Sequence, residues 1–229
     1  GSTVDKKDVT VYINGEHVAA ADLEIKKGSD AKVGKNYLSK GGKDYSTAQN
    51  GVLTEVFYDD DADTITITQI VTYVGEVQKT VAATSKKDAY IVIDQKPMDG
   101  NKNVMSVPSD KDGKTVGGSL EFETDEKFAD ETYVLYTYSF KEDEVESVVA
   151  AQKVEGYVSK TINKVNDTDK NNGMTLAGTE YKMSLATTGE KLGNVSVKQD
   201  YTVYLDQYGY IIYVEEIQEI GNYALVLAT

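Results

Sequence analysis

The sequence predicts an all-β chain of tandem small β-barrel or β-sandwich modules, each of about five strands, with at most short helical turns. Three observations lead to this fold class: apolar residues alternate with period 2, turn dipeptides separate the alternating runs, and similar segments recur along the chain. The composition agrees, because 17 Tyr and only 2 Pro suit half-buried strands.

Alternation is clearest at residues 9–13, 64–68, 201–205 and 210–214. Asn14-Gly15 follows the first run, and both residues accept positive φ, so a tight hairpin is predicted there. The best helical candidate is residues 125–130 after a capping Thr124, which predicts a short connector only. Strands therefore account for most of the predicted structure.

A hairpin followed by a bend and a further strand recurs at residues 55–77, 133–158 and 202–224. The copies end in Tyr73-Val74-Gly75-Glu76-Val77, Val154-Glu155-Gly156-Tyr157-Val158 and Ile220-Gly221-Asn222-Tyr223-Ala224. A second element, a short strand pair, recurs at residues 9–18, 174–183 and 89–98.

These repeats predict β modules at residues 1–75, 76–154 and 155–229. The first module is predicted to lack its opening strand, and residues 223–228 are predicted to open a further module. Polar residues 29–50, 99–114 and 163–173 are expected to be solvated connections. The alternative is that any all-β chain shows such similarity by chance.

Charge and composition disfavour several classes of partner. The formal charge is −14 and all 24 basic residues are Lys, which argues against nucleic acid and against an anionic membrane surface. No 18-residue apolar run is present, so no membrane insertion is expected. With no Cys, the chain has no disulfide, thiolate metal site or thiol nucleophile.

The search for catalytic motifs predicts a protein that is not an enzyme. The single His, His17, lies beside Glu16 on the predicted first hairpin and is interpreted as a surface residue rather than a catalytic base. No Gly-x-Ser-x-Gly elbow is present. A carboxylate pair of the glycosidase kind remains the alternative, although none of the 38 acidic residues stands out in an apolar setting.

Calcium is the one cofactor that the pattern allows. Asp59, Asp61 and Asp63 have the spacing that begins a calcium loop, but Thr64 and Ile70 stand where such a loop has Gly and Glu. Residues 167–173 form a second near-match. The alternative for both is a polar hairpin loop.

Residues 50–61 with 64–67 and 73–77, and residues 200–206 with 209–212, together resemble β modules of S-layer-homology-domain-containing cell-surface proteins of Gram-positive (Firmicutes) bacteria. The resemblance implies an extracellular, cell-wall-associated, structural or spacer role. Like subunits or cell-wall components would then be the partners. The alternative is an adhesin-like module that binds a glycan or a host protein through Tyr-bearing loops. The resemblance assigns no ligand-binding residues.

Overall fold

The computed structural model describes residues 8–18, 24–25, 37–40, 43–46, 50–96, 107–108, 114–163, 171–189 and 195–217. These residues form seventeen β-strands and no helix, which confirms the predicted all-β fold. In chain order the strands are β1 (Val9–Ile13), β2 (Glu16–Val18), β3 (Glu24–Ile25), β4 (Tyr37–Lys40), β5 (Lys43–Ser46), β6 (Val52–Asp59), β7 (Thr64–Val71), β8 (Tyr73–Val81), β9 (Tyr90–Gln95), β10 (Ser119–Glu123), β11 (Tyr133–Ser139), β12 (Glu144–Ala150), β13 (Gln152–Asn163), β14 (Asn171–Leu176), β15 (Thr179–Gly189), β16 (Asp200–Leu205) and β17 (Ile211–Glu216).

The first sheet has the strand order β2-β1-β7-β6. Its β1–β2 turn is the predicted one, with Asn14 at φ 48° and Gly15 at φ 79°. Strands β6 and β7 form a long antiparallel hairpin, from Val52 opposite Val71 to Asp59 opposite Thr64. Strand β1 lies parallel to β7 on the other side.

The second sheet has the order β10-β9-β8-β11-β12, with β8 in its centre. A single residue, Thr72, separates β8 from β7 of the first sheet. Strands β8, β9 and β11 each contain a run of consecutive buried residues. Val74, Ile91, Ile93 and Val134 of these strands belong to one core and have no exposed surface.

The last five strands close into a barrel in the order β13-β14-β15-β17-β16. Only Ala151 separates β13 from β12. The first half of β13 pairs with β16 and its second half pairs with β14, so this one strand closes the barrel. Met174, Leu176, Tyr201 and Ile211 fill the interior.

Two local expectations are wrong. Residues 29–50 were expected to be a solvated connection, yet β4 and β5 lie there and form a small sheet with β3. Residues 125–130 do not form a helical turn. The Thr124 hydroxyl does accept a bond from the Glu126 amide at 3.0 Å, but the Phe128 side chain is buried in the core and its carbonyl accepts a bond from Thr80. Those long-range contacts outweigh the weak local preference for helix.

The predicted module boundaries at 75/76 and 154/155 fall inside β8 and β13, close to the links at Thr72 and Ala151. The division into three modules stays a prediction.

Candidate functional site

The first sheet, the second sheet and the barrel contact one another through specific hydrogen bonds and aromatic contacts. The first is Asn14, in the β1–β2 turn, which is only 3% exposed. Its side-chain oxygen accepts a bond from the Val71 amide at 2.9 Å, and its side-chain nitrogen donates to the Tyr73 hydroxyl at 2.9 Å. Its carbonyl accepts a bond from the Phe140 amide at 2.9 Å. We call Asn14 with these three partners the asparagine joint, and it fixes the turn of the first sheet to the second sheet.

Gly15 makes the asparagine joint sterically specific. Its φ of 79° is a conformation that side chains rarely adopt, and a Cβ there would lie 2.9 Å from the Ser139 hydroxyl oxygen. A side chain at position 15 would therefore strain the backbone of the β1–β2 turn and displace the Ser139 hydroxyl at the end of β11.

The second contact is an aromatic cluster of Tyr133, Tyr204 and Tyr213, which we call the tyrosine joint. The Tyr133 ring, from the second sheet, lies 4.2 Å from the Tyr204 ring and 4.7 Å from the Tyr213 ring of the barrel, measured between centroids. Burial, followed by the hydrogen bond with Tyr213, raises the pKa of Tyr133 far above its ordinary value. Tyr133 is therefore neutral at physiological pH, and the three rings contribute mainly apolar contact area.

A cation lies beside the tyrosine joint. The Lys96 ammonium group is 2.5 Å from a Glu76 carboxylate oxygen and 3.2 Å from one of Asp94. It also lies 5.9 Å from the centroid of the Tyr133 ring, within the range of a cation–π contact. These partly exposed pairs orient the rim of the joint rather than supply much stability.

The third contact joins the start of the β6 region to the barrel. The Asn50 side chain donates to the Met183 carbonyl at 3.1 Å. Gly51, at φ 78°, packs against Ser184 and Asp206, and a Cβ there would lie 2.7 Å from the Asp206 carboxylate. Gln207 donates to the Thr72 hydroxyl at 2.8 Å.

An apolar core continues across the sheets beneath these polar contacts. Val71 of the first sheet and both Ala186 and Ile212 of the barrel belong to the same buried cluster as the second-sheet core. Continuous burial of this kind joins the three sheets into one packed body.

The carboxylates that sequence spacing suggested for calcium lie on the exposed β6–β7 turn. Asp59 accepts bonds from the amides of Asp61 and Ala62 at 3.1 and 3.0 Å, and Asp63 accepts one from the Tyr58 hydroxyl at 2.9 Å. Within the ranges that the structure describes, no group of three or more Asp, Glu, His or Cys side chains is arranged to hold a metal ion. Asp59 and Asp63 thus shape the turn, and the geometry gives the calcium prediction at Asp59, Asp61 and Asp63 no support.

The second acidic segment, residues 167–173, lies largely outside the described residues. The calcium loop considered there stays a prediction. His17 is exposed on β2, as expected, with its ring 5.5 Å from that of its cross-strand partner Tyr12.

An open groove of about 230 Å³ lies where the second sheet meets Gln207 and Thr72. Its polar lining also includes Thr137 and Ser147, whose hydroxyl oxygens are 2.7 Å apart. Hydroxyl and amide groups of this kind can form hydrogen bonds but are not general acids or bases near neutral pH.

Sequence reasoning identified Asn14-Gly15 as a turn and Tyr as a packing residue, but it missed the role of both in joining sheets. The Tyr excess was the only available signal. Asn14 contacts Tyr73 across 59 residues of sequence, and no local pattern reports such a contact. The adhesin alternative, which needs Tyr in binding loops, stays a prediction.

No protein-family model matches this chain, and no curated protein matches it. In the ranges described above, the structure contains no helix with the length and apolar character needed to span a membrane.

Proposed function

We propose that this chain is a non-catalytic structural segment, or spacer, of a bacterial cell-surface protein of the S-layer-like kind. The observation that carries the proposal is the continuous core beneath the joints, in which residues of three sheets pack together. A spacer has to keep its parts at fixed relative positions, and buried polar joints with shared apolar packing do this.

The links between the sheets support the same role. Strand β7 continues into β8 through Thr72 alone, and β12 continues into β13 through Ala151 alone. Connections of one residue leave almost no freedom for hinge motion, in contrast to Gly/Ser-rich linkers, which behave as flexible coils. The chain therefore suits a load-bearing segment better than a pair of independently moving modules.

The surface chemistry is compatible with an exported protein. A net charge of −14 favours solubility through mutual repulsion between copies. The extracellular, wall-associated location rests on the family resemblance described above.

Labelling of cells tests this proposal. Antibodies raised against the purified chain should bind intact cells of the organism that carries it, and the signal should not rise much when the cells are broken. A cytoplasmic protein gives the opposite result, with labelling only after lysis. An antibody against a cytosolic enzyme of the same cells is the matched control.

A further inference from the structure

Two of the contacts between sheets contain the same dipeptide. Asn14-Gly15 forms the turn of the asparagine joint, and Asn50-Gly51 lies where the β6 region meets the barrel. Asn-Gly is especially prone to deamidation, because glycine has no side chain to keep its backbone nitrogen away from the preceding carboxamide. Such chemistry makes Asn one of the thermolabile residues. Two chemically labile dipeptides therefore lie at positions that hold the sheets together.

Deamidation joins atoms of two adjacent residues. The backbone nitrogen of the glycine attacks the side-chain carbonyl carbon of the asparagine. An N–C bond forms, and the carboxamide nitrogen leaves as ammonia with the proton that the backbone nitrogen loses. Water then opens the resulting cyclic imide at either carbonyl, which leaves an aspartate or an isoaspartate. The isoaspartate carries the main chain through the former side chain and so adds one methylene to the backbone.

The fold holds the Asn14 carboxamide away from this reaction. Its oxygen accepts a bond from the Val71 amide and its nitrogen donates to the Tyr73 hydroxyl, each at 2.9 Å. The main chain is fixed as well, since the Asn14 amide donates to the Gln69 carbonyl and its carbonyl accepts from the Phe140 amide, again at 2.9 Å. Ring closure needs the carboxamide to turn and bond to the next backbone nitrogen, which the two side-chain bonds resist.

We propose that Asn14 is a latent deamidation site that reacts only when the asparagine joint opens, and that its conversion irreversibly breaks this joint. An aspartate at this position would carry a charge where the side chain is 3% exposed, and it could no longer donate to Tyr73. An isoaspartate would lengthen a two-residue turn, which depends on positive φ at both residues and on the pairing of Ile13 with Glu16. Either product therefore prevents the joint from forming again.

The degree of protection follows the free energy of local opening, because only the open form reacts. Loss of the two side-chain bonds predicts that Asn14 reacts roughly 30-fold to 1,000-fold more slowly in the folded chain than in the unfolded chain. Asn50 is only partly buried and makes one such bond, to the Met183 carbonyl at 3.1 Å. Its protection should therefore be smaller, roughly 5-fold to 30-fold.

Peptide mapping by mass spectrometry measures both rates in one sample. The purified chain is kept at mildly alkaline pH, folded in one series and unfolded in urea in the other, and the deamidated fractions of Asn14 and Asn50 are followed with time. In urea the two residues should react at similar rates, since glycine follows both. In the folded chain Asn14 should be the slower of the two. An Asn14 that reacts as fast in the folded chain as in urea would overturn the proposal.

Tyr73→Phe is the matched variant, because it removes the hydroxyl to which Asn14 donates and leaves both Asn-Gly dipeptides intact. In the folded chain it should speed deamidation of Asn14 roughly 3-fold to 10-fold and leave the rate at Asn50 unchanged. Equal acceleration at both residues would mean that the reaction waits for unfolding of the whole chain rather than for opening of the joint, which would contradict the proposal.

The effect of conversion is measured on the aged protein itself. Ion exchange separates deamidated chains by their added negative charge, and peptide mapping identifies the fraction that is modified at Asn14 alone. This fraction should unfold at a lower urea concentration than the unmodified chain, and Asn14→Asp, which reproduces the aspartyl product, should do the same. An unchanged urea midpoint in the modified fraction would show that the joint survives conversion, and the proposal would then be wrong.

Discussion

The asparagine joint offers the sharpest test of how the sheets are coupled. Replacing Asn14 by Ala removes the bond to the Val71 amide, and leaving a buried amide unpaired costs about 1–3 kcal/mol. The lost bond to Tyr73 adds about 1 kcal/mol. Alanine at a φ of 48° adds about 1 kcal/mol more, because left-handed backbone is unfavourable for residues with a Cβ. We therefore expect Asn14→Ala to lower the free energy of unfolding by about 3–5 kcal/mol.

Urea unfolding followed by circular dichroism and by tyrosine fluorescence measures this change, since the chain has 17 Tyr and no Trp. Asn14→Gly is the matched variant, because it loses the same two side-chain bonds but accepts positive φ without strain. It should be milder than Asn14→Ala by about 1 kcal/mol. An Asn14→Ala protein within about 0.5 kcal/mol of the natural chain would refute the idea that Asn14 couples the sheets.

Four further predictions follow from the joints and the β6–β7 turn. Tyr133→Ala should lower the free energy of unfolding by about 3 kcal/mol, because its aromatic packing is lost. The control Tyr157→Ala removes a half-exposed ring on β13 and should cost less than about 1 kcal/mol. Equal losses in urea unfolding would contradict the tyrosine joint. Gly51→Ala should lower the thermal midpoint, because φ is positive and the Asp206 carboxylate blocks the Cβ, and an unchanged midpoint would show that this contact can relax. Burial raises the pKa of Asp206, an effect that backbone bonds from Tyr210 and Tyr208 only partly offset. Ionisation of Asp206 therefore weakens the fold as the pH rises from about 4 through the folded-state pKa. Asp206→Asn should gain stability relative to the natural chain over that rise, and parallel pH profiles of stability would refute this. The β6–β7 turn should contribute no calcium-dependent rise in the thermal midpoint, since Asp59 and Asp63 accept bonds from within the turn. A calcium-dependent rise of several degrees that Asp63→Asn abolishes would instead mean that a site exists there.

Local pattern predicted the strands well, because alternation reports which face of a strand is covered. Residues 64–68 alternate between Thr and Ile, and β7 includes them with Ile67 buried. Asn14-Gly15 forms the predicted hairpin, since positive φ is a local property of those two residues. The polar stretch at 29–50 misled the prediction because β4 and β5 have no apolar alternation to reveal them.

Sequence similarity could not predict how equivalent hairpins are placed. Residues 9–18 and 174–183 look alike, yet the first strand of one hairpin, β1, lies beside β7, while the second strand of the other, β15, lies beside β17. Both strands of an isolated hairpin have a free edge that can pair with a further strand. The apolar pattern of the hairpin therefore does not specify which of its two strands pairs with the rest of the sheet.

Acidic spacing was ambiguous for a related reason. Asp59, Asp61 and Asp63 fit the spacing of calcium ligands, but Asp is also favoured in turns where its carboxylate accepts amide bonds from two and three residues later, as that of Asp59 does. Only the side-chain directions separate these two uses, and sequence does not report them.

The single-residue links also bear on how the chain responds to tension. A pull along the backbone reaches β8 through Thr72 and β13 through Ala151, and each of these strands is hydrogen-bonded on both sides. The load then acts along the strands, so the ladder bonds of a strand resist together instead of opening one after another. Extension would be stiff and then abrupt, and the joints that hold the sheets at rest would also set the force at which they separate.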